Sequence, residues 1–189
     1  MATGKRDPWV DVRTRHDLAA DQVISALQKE IRRGNVENAA LLAYEMATTS
    51  PELEEYLWYR LLVISVEDVG YGDLQAPMLV RALYEINQQF GHRGGEYLLL
   101  VTHAVRYLCT RRKDRSSDEM VNWLIHEVEE NGQVPTIPDY ALDMHTAQGQ
   151  AMGRGKLHFW EEASKIQPEL PDRETTYRAR MLALLCGSE

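Results

Sequence analysis

The sequence predicts an all-α protein folded as a compact multi-helix bundle. Three observations carry this expectation. Six consecutive segments repeat apolar residues at helical spacing, and their ends carry capping residues, glycine or proline. No stretch shows the alternation of a strand or the turn of a hairpin. Paired helices with short links also suit an α-solenoid, but no residue pattern recurs at a solenoid period, so the bundle is the expected form.

Residues 1–16 lack periodicity and read as a flexible N-terminal arm. The first helix is expected from Asp17 as N-cap, with Ala20, Val23, Ile24, Leu27 and Ile31 on one face; Arg32 and Arg33 suit its C-terminal dipole and Gly34 ends it. Asn35 is the expected cap of a second helix whose stripe Val36, Ala39, Ala40, Ala43 and Ala47 is small enough for close helix approach. Ser50-Pro51 supplies an N-cap and a first-turn proline for a third helix carrying Leu53, Leu57, Trp58, Leu61 and Ile64.

A fourth helix is expected near Pro77, carrying Leu79, Val80, Leu83 and Ile86 and stopping before Gly91; Gly94-Gly95 restarts the chain. Tyr97 to Leu108 is apolar nearly all round, which predicts an enclosed fifth helix with His103 inside it. Ser116 and Glu119 have capping-box spacing for a sixth helix, with Val121, Leu124, Ile125 and Val128 expected inward and Asn131-Gly132 at its end. These helices define an expected core over 17–133. Residues 134–189 read as a glycine- and proline-rich loop region followed by a final helix from Asp172, with Tyr177, Met181 and Leu185 on its apolar face, packed on the same domain.

Composition narrows the function classes. Hydrophobic residues make up 44% of the 189 residues, and this excludes wholesale disorder and a collagen-like or membrane class. A net charge of −8 argues against a surface that grips nucleic acid all over. The local exception is Arg111, Arg112, Lys113 and Arg115, joined further on by Arg154 and Lys156; these six are the candidate phosphate contacts. Two cysteines, Cys109 and Cys186, fit neither a disulfide framework nor a zinc motif. The amino terminus lacks the apolar segment of a secretory signal, so a cytoplasmic setting without membrane contact is expected.

The most informative stretch is Arg60-Leu-Leu-Val-Ile-Ser-Val-Glu-Asp-Val-Gly-Tyr-Gly-Asp73. Its first half is the most apolar run of the chain; Glu67, Asp68 and Asp73 then arrive among Gly70 and Gly72, with no basic residue between Arg60 and Arg81. Buried carboxylates need donors. They either cap the next helix or pair with an arginine, or they take a catalytic or metal-binding role. A second cluster holds Asp143, His145, His158 and Glu161 among Gly149, Gly153 and Gly155. It matches no metal-ligand spacing and reads as a loop whose polar side chains satisfy irregular backbone.

Three segments resemble the C-terminal region of the MgsA/RarA family, the AAA+ ATPases called replication-associated recombination protein A. They are Val23-Ile-Ser-Ala-Leu-Gln-Lys-Glu-Ile-Arg-Arg-Gly-Asn-Val-Glu-Asn-Ala-Ala40, the element Arg60 to Gly70, and Asp143-Met-His-Thr-Ala-Gln-Gly149 with Gly153-Arg-Gly155. The likeness covers about residues 17–160. It implies a clamp-loader collar-like helical domain that builds an oligomer, a tetramer or dimer. It also implies Ser65, Glu67, Asp68, Gly70, Asp143, His145, Gly149, Gly153 and Gly155 as family-motif residues. His145, Gly149 and Gly153 are expected to pack beside Glu67, Asp68 and Gly70 at the helix break.

The sequence holds no G-x-x-x-x-G-K-[ST] phosphate loop and no apolar strand ending in Asp-Glu, so no ATPase chemistry is assigned to it. It reads as a fragment, a stand-alone paralogue or a fusion partner's relic. The function expected is a non-catalytic assembly or interaction module in DNA replication or repair, with no cofactor and no metal. A separate AAA+ ATPase or a single-strand-binding protein is the partner that the resemblance implies. The alternatives are a metal-dependent hydrolase using Glu67 and Asp68 with His103 or His145, and a nucleic-acid accessory protein.

Overall fold

The computed structural model describes residues 7–90 and 95–187, which fall into two compact units, Met1–Asn131 and Gly132–Glu189. The protein is all-α: among the described residues the one strand-like pairing is an isolated antiparallel bridge between Arg13 and Ala19. The breaks expected at Gly91 and Gly94 lie outside the described residues.

In the first unit the helices are α1 (Ala20–Arg33), α2 (Val36–Thr49), α3 (Pro51–Ile64), α4 (Ala76–Phe90), α5 (Glu96–Thr110) and α6 (Ser116–Glu129). The core gathers faces read from the pattern: Val23, Leu27 and Ile31 of α1, Ala39, Ala43 and Ala47 of α2, Leu53, Leu57, Trp58, Leu61 and Ile64 of α3, Val80 of α4, and Val101, Val105 and Leu108 of α5; Met46 of α2, outside the expected stripe, joins them. Helix α2 is at the centre, packed against α1, α3 and α5. Its alanines explain this, because a helix with methyl side chains lets neighbouring axes approach from several sides. Gly34 ends α1 in the left-handed conformation (φ 77°), its N–H donating to Ile31 O (3.1 Å). Ser50 caps α3, its Oγ accepting from the Leu53 N–H (3.2 Å).

Four expectations for the helices of this unit need correction. Asp17 does not cap α1: the helix starts at Ala20 with Ala19 at the cap, and Asp17 is left-handed (φ 61°) in the preceding turn. That turn belongs to a segment with its own contacts. Trp9 and Val12 lie against the core, Thr14 is buried, and the His16 N–H donates to Glu45 Oε1 (3.0 Å) while its Nδ1 meets Oε2 (2.6 Å). His103 is not enclosed, because α5 buries one face only and His103 is on the other. The Ser116 side chain does not cap α6; the Ser116 N–H instead donates to Asp114 Oδ1 (2.9 Å).

The fourth correction is the largest. Val121, Leu124, Ile125 and Val128 do not face inward, and α6 buries none of its residues. An amphipathic stripe records that a helix needs an apolar partner, not that its own domain supplies one.

The second unit contains the short helices α7 (Ala147–Ala151) and α8 (Lys156–His158), a π-turn over Phe159–Ala163, and α9 (Thr176–Cys186). Helix α9 starts at Thr176 rather than Asp172; Met181 and Leu185 are half-buried but Tyr177 is exposed. Among the described residues no helix is long and apolar enough to cross a membrane.

The cap at the head of α3 gives a direct check on this packing. Ser50→Ala should lower the unfolding free energy by about 1 kcal/mol, read from the denaturant midpoint, by orphaning the Leu53 N–H.

Candidate functional site

At the end of α3 the chain does not stop but widens into a π-turn, Ser65–Val69, followed by a 3-10 turn at Gly70–Gly72. The π-turn is a local defect with a clear cause. Ser65 is fully buried and donates from Oγ to Leu62 O (2.6 Å), while the Asp114 N–H donates to both Asp68 O and Val69 O (3.1 Å each), drawing the turn toward the α5–α6 connection. Gly70 completes the bend with φ 50°, and a Cβ there would sit 2.2 Å from Asp114 O. Only glycine fits that approach.

This geometry carries Asp68 into the interior. Its side chain has no exposed surface, yet it does not lack partners. Arg32 Nε from the last turn of α1 donates to Asp68 Oδ1, as does Arg115 Nη1 (2.7 Å), and Gln28 Nε2 donates to Oδ2 (3.0 Å). Glu67, about one-quarter exposed, shares the same donors: Gln28 Nε2 at 2.7 Å, and Arg32 Nη2 and Arg115 Nη1 at 3.2 Å each. Arg115 Nη2 then reaches Asp118 in the first turn of α6, and Arg60 Nη2 holds Gln28 Oε1. Three carboxylates and three guanidiniums thus meet in one cluster linking α1, α3, the π-turn and α6. Of the two roles left open by the sequence, the structure displays pairing with arginines.

Nearby, Asp73 accepts from the Tyr107 hydroxyl (2.7 Å) and the Gln75 N–H (3.0 Å), with Arg111 at 3.8 Å. The Tyr107 bond, then the Gln75 bond and the Arg111 charge, hold its carboxyl below the ordinary value.

The second group of motif residues belongs to the second unit. Asp143, nearly buried, accepts from the His145 N–H (2.9 Å) and from His145 Nδ1 (3.0 Å), and these bonds lower its pKa. The imidazole also meets Phe159 edge-on at 5.2 Å. Thr146 caps α7 by accepting from the Gly149 N–H (3.0 Å). A Cβ on Gly149 would come within 2.0 Å of Asp143 O, so the loop closes only around glycine. Gly153 takes φ 74°, whereas Gly155 has open space around it and an ordinary φ of −102°. Each motif group is thus satisfied by partners within its own unit.

The candidate phosphate contacts divide. Arg115 is spent in the ion cluster. Lys113 Nζ donates to the carbonyls of Leu108 (2.7 Å), Cys109 (3.2 Å) and Arg111 (2.7 Å), closing the C-terminal end of α5. Arg154 holds both carboxylate oxygens of Asp139 and the carbonyls of Asp139 and Leu142. Arg111 lies over the Tyr107 ring at 4.8 Å, and Arg111, Arg112 and Lys156 remain exposed. Isolated cations of this kind differ from a continuous basic track.

The hydrolase alternative loses its parts. Glu67 and Asp68 are committed to guanidiniums and His103 faces solvent. Among the described residues no three His, Cys, Asp or Glu side chains gather as a metal ion would require.

Sequence reasoning missed both arginine partners and Gln28. Arg32 was legible only as a dipole-compensating residue, and Arg115 only as one of a run of cations. The usable signal was the absence of a local counter-charge around Glu67 and Asp68, which demanded donors from elsewhere.

Asp68→Ala should cost about 3 kcal/mol, measured by chemical denaturation, since Arg32 and Arg115 lose their buried acceptor and keep only Glu67 and, for Arg115, Asp118; an unchanged midpoint would contradict the cluster. For Asp73 the lowered pKa means that its stabilisation is complete above the unfolded value and is lost as pH falls through the folded one. Tyr107→Phe should therefore flatten the acid limb of the stability curve below about pH 4.

The family described as MgsA AAA+ ATPase C terminal matches residues 34–173. The replication-associated recombination protein A of Haemophilus influenzae is 29% identical over 123 residues, covering 65% of this chain and 26% of that protein. The chain thus matches about a quarter of the length of this curated relative.

Proposed function

For a chain that belongs to the MgsA AAA+ ATPase C-terminal family, we propose a non-catalytic assembly module that self-associates through an exposed helical face and serves DNA replication or repair. One observation carries this reading. Helix α6 exposes Met120, Val121, Trp123, Leu124, Ile125 and Val128 at 40–59% of their surface and buries nothing. Val121, Leu124, Ile125 and Val128 share one face at helical spacing, with Trp123 on the far side of the helix, and an exposed apolar stripe edged by acids is the mark of a protein contact.

The groove beside it extends the same surface. Leu62, Val63 and Val66 of the α3–π-turn ridge face Val121 across a cavity of about 380 Å³, with Glu67 and Asp118 at its edge. The ion cluster fixes one wall of this groove to the other. The interior acids support structure, and the outside of the same helices offers the binding surface. The relative is named for recombination at replication, which supports a role of that kind for this module, with a AAA+ ATPase or a single-strand-binding protein as the further partner.

Light scattering over a wide range of protein concentration tests the reading. We expect a dimer or tetramer, and we expect Ile125→Glu to give a monomer with unchanged helix content by circular dichroism. A wild-type chain that stays monomeric throughout would overturn it.

A further inference from the structure

We propose that the occupant of the α6 face is helix α9 of a second copy of this chain, an acidic apolar helix pairing with a basic apolar one. The inference rests on the self-association reading above and goes further by naming the two surfaces that meet.

The charge on α6 limits what can cover it. Its span carries Asp118, Glu119, Glu127 and Glu129 and no lysine or arginine. On the helical wheel, Glu127 and Glu129 flank the stripe Val121–Leu124–Ile125–Val128 on either side. Two copies of α6 laid against each other would bring these acids together, a like-charge arrangement that disfavours the pairing. The partner helix needs apolar side chains at helical spacing and positive charge beside them.

Helix α9 supplies both. Its span, Thr176–Cys186, contains Arg178 and Arg180 and no acidic residue. One side is committed within its own unit: Met181, Leu182 and Leu185 are half-buried, and Arg178 Nη2 donates to Trp160 O (2.6 Å). The other side presents Tyr177, Arg180 and Leu184, spaced three and four residues apart, with Tyr177 73% and Leu184 67% exposed. The Arg180 guanidinium rests over the Tyr177 ring at 5.8 Å, so a cation sits within the apolar stripe. Opposite α6, Tyr177 and Leu184 would seat against Val121, Leu124, Ile125 and Val128, and Arg180 would meet Glu127 or Glu129.

The contact is between different surfaces, so symmetry decides how it closes. A two-fold dimer forms it twice, once in each direction, and a cyclic tetramer forms it once per neighbour. Either arrangement covers both exposed faces on every copy.

Charge reversal on the full-length chain tests the pairing. Glu127→Lys with Glu129→Lys, and separately Arg180→Glu, should each raise the dissociation constant by about tenfold in sedimentation or light scattering. The combined variant should recover most of that loss, because the exchanged charges attract again. Glu129 and Arg180 are exposed and Glu127 is half-buried, so circular dichroism is used to establish that each variant is folded. If the combined variant is only as weak as the sum of its parts, the pairing is overturned. If Arg180→Glu and Leu184→Ser leave the molar mass unchanged while the α6 variant dissociates, α9 is not the partner, but self-association through α6 survives. A wild-type monomer would instead remove both the pairing and the reading beneath it.

Discussion

The first unit depends on one buried anion. Asp68 enters the interior because the chain widens into a π-turn at Ser65–Val69, and burying a carboxylate is tolerable only if its lone pairs are met. Arg32, Arg115 and Gln28 meet them, and each comes from a different place in the chain. The arrangement does what a purely apolar contact would not. It specifies which end of α1, which turn after α3 and which residue before α6 must coincide, since any other register leaves a charge unpaired. Glycine at position 70 is part of the same constraint: its φ of 50° and its closeness to the Asp114 carbonyl let the α5–α6 connection reach the π-turn.

The parts of this fold that were legible in the sequence follow from local rules. The apolar faces of α1 and α3, the left-handed glycine at position 34 and the Ser50-Pro51 cap all depend on residues within one or two turns of one another. The same rules read Ser116 and Glu119 as a capping box and missed, because the Glu119 N–H donates to Arg115 O and the Ser116 N–H to Asp114 Oδ1. Asp17 misled in a similar way: it has the chemistry of a cap, but the turn from Thr14 to Leu18 uses it in a left-handed conformation instead.

The candidate site was half legible. A run of carboxylates without nearby cations announced that distant donors were required, yet nothing in the spacing singles out Arg32 over Arg33, or Arg115 over Arg111. That choice is made by where helix ends arrive in space, which periodicity does not encode. Lys113 and Arg154 show the converse. Both have the composition of phosphate contacts, and both are occupied by backbone carbonyls, because a loop with many orphan acceptors draws in the nearest long cation.

The ion cluster also connects the interior to the surface. Arg115 binds Asp68 with one nitrogen and Asp118 with another, and Asp118 stands in the first turn of a helix that buries no apolar side chain. Helix α6 is therefore positioned chiefly by charge at one end, while its apolar stripe is left open along its length. A helix held this way keeps its orientation without spending its hydrophobic face on the domain that carries it. Because Asp68 is fully buried, that anchor is screened by salt far less than a surface pair would be. The buried carboxylate and the exposed stripe are two parts of one design: the first fixes where the helix points, and the second is what it presents.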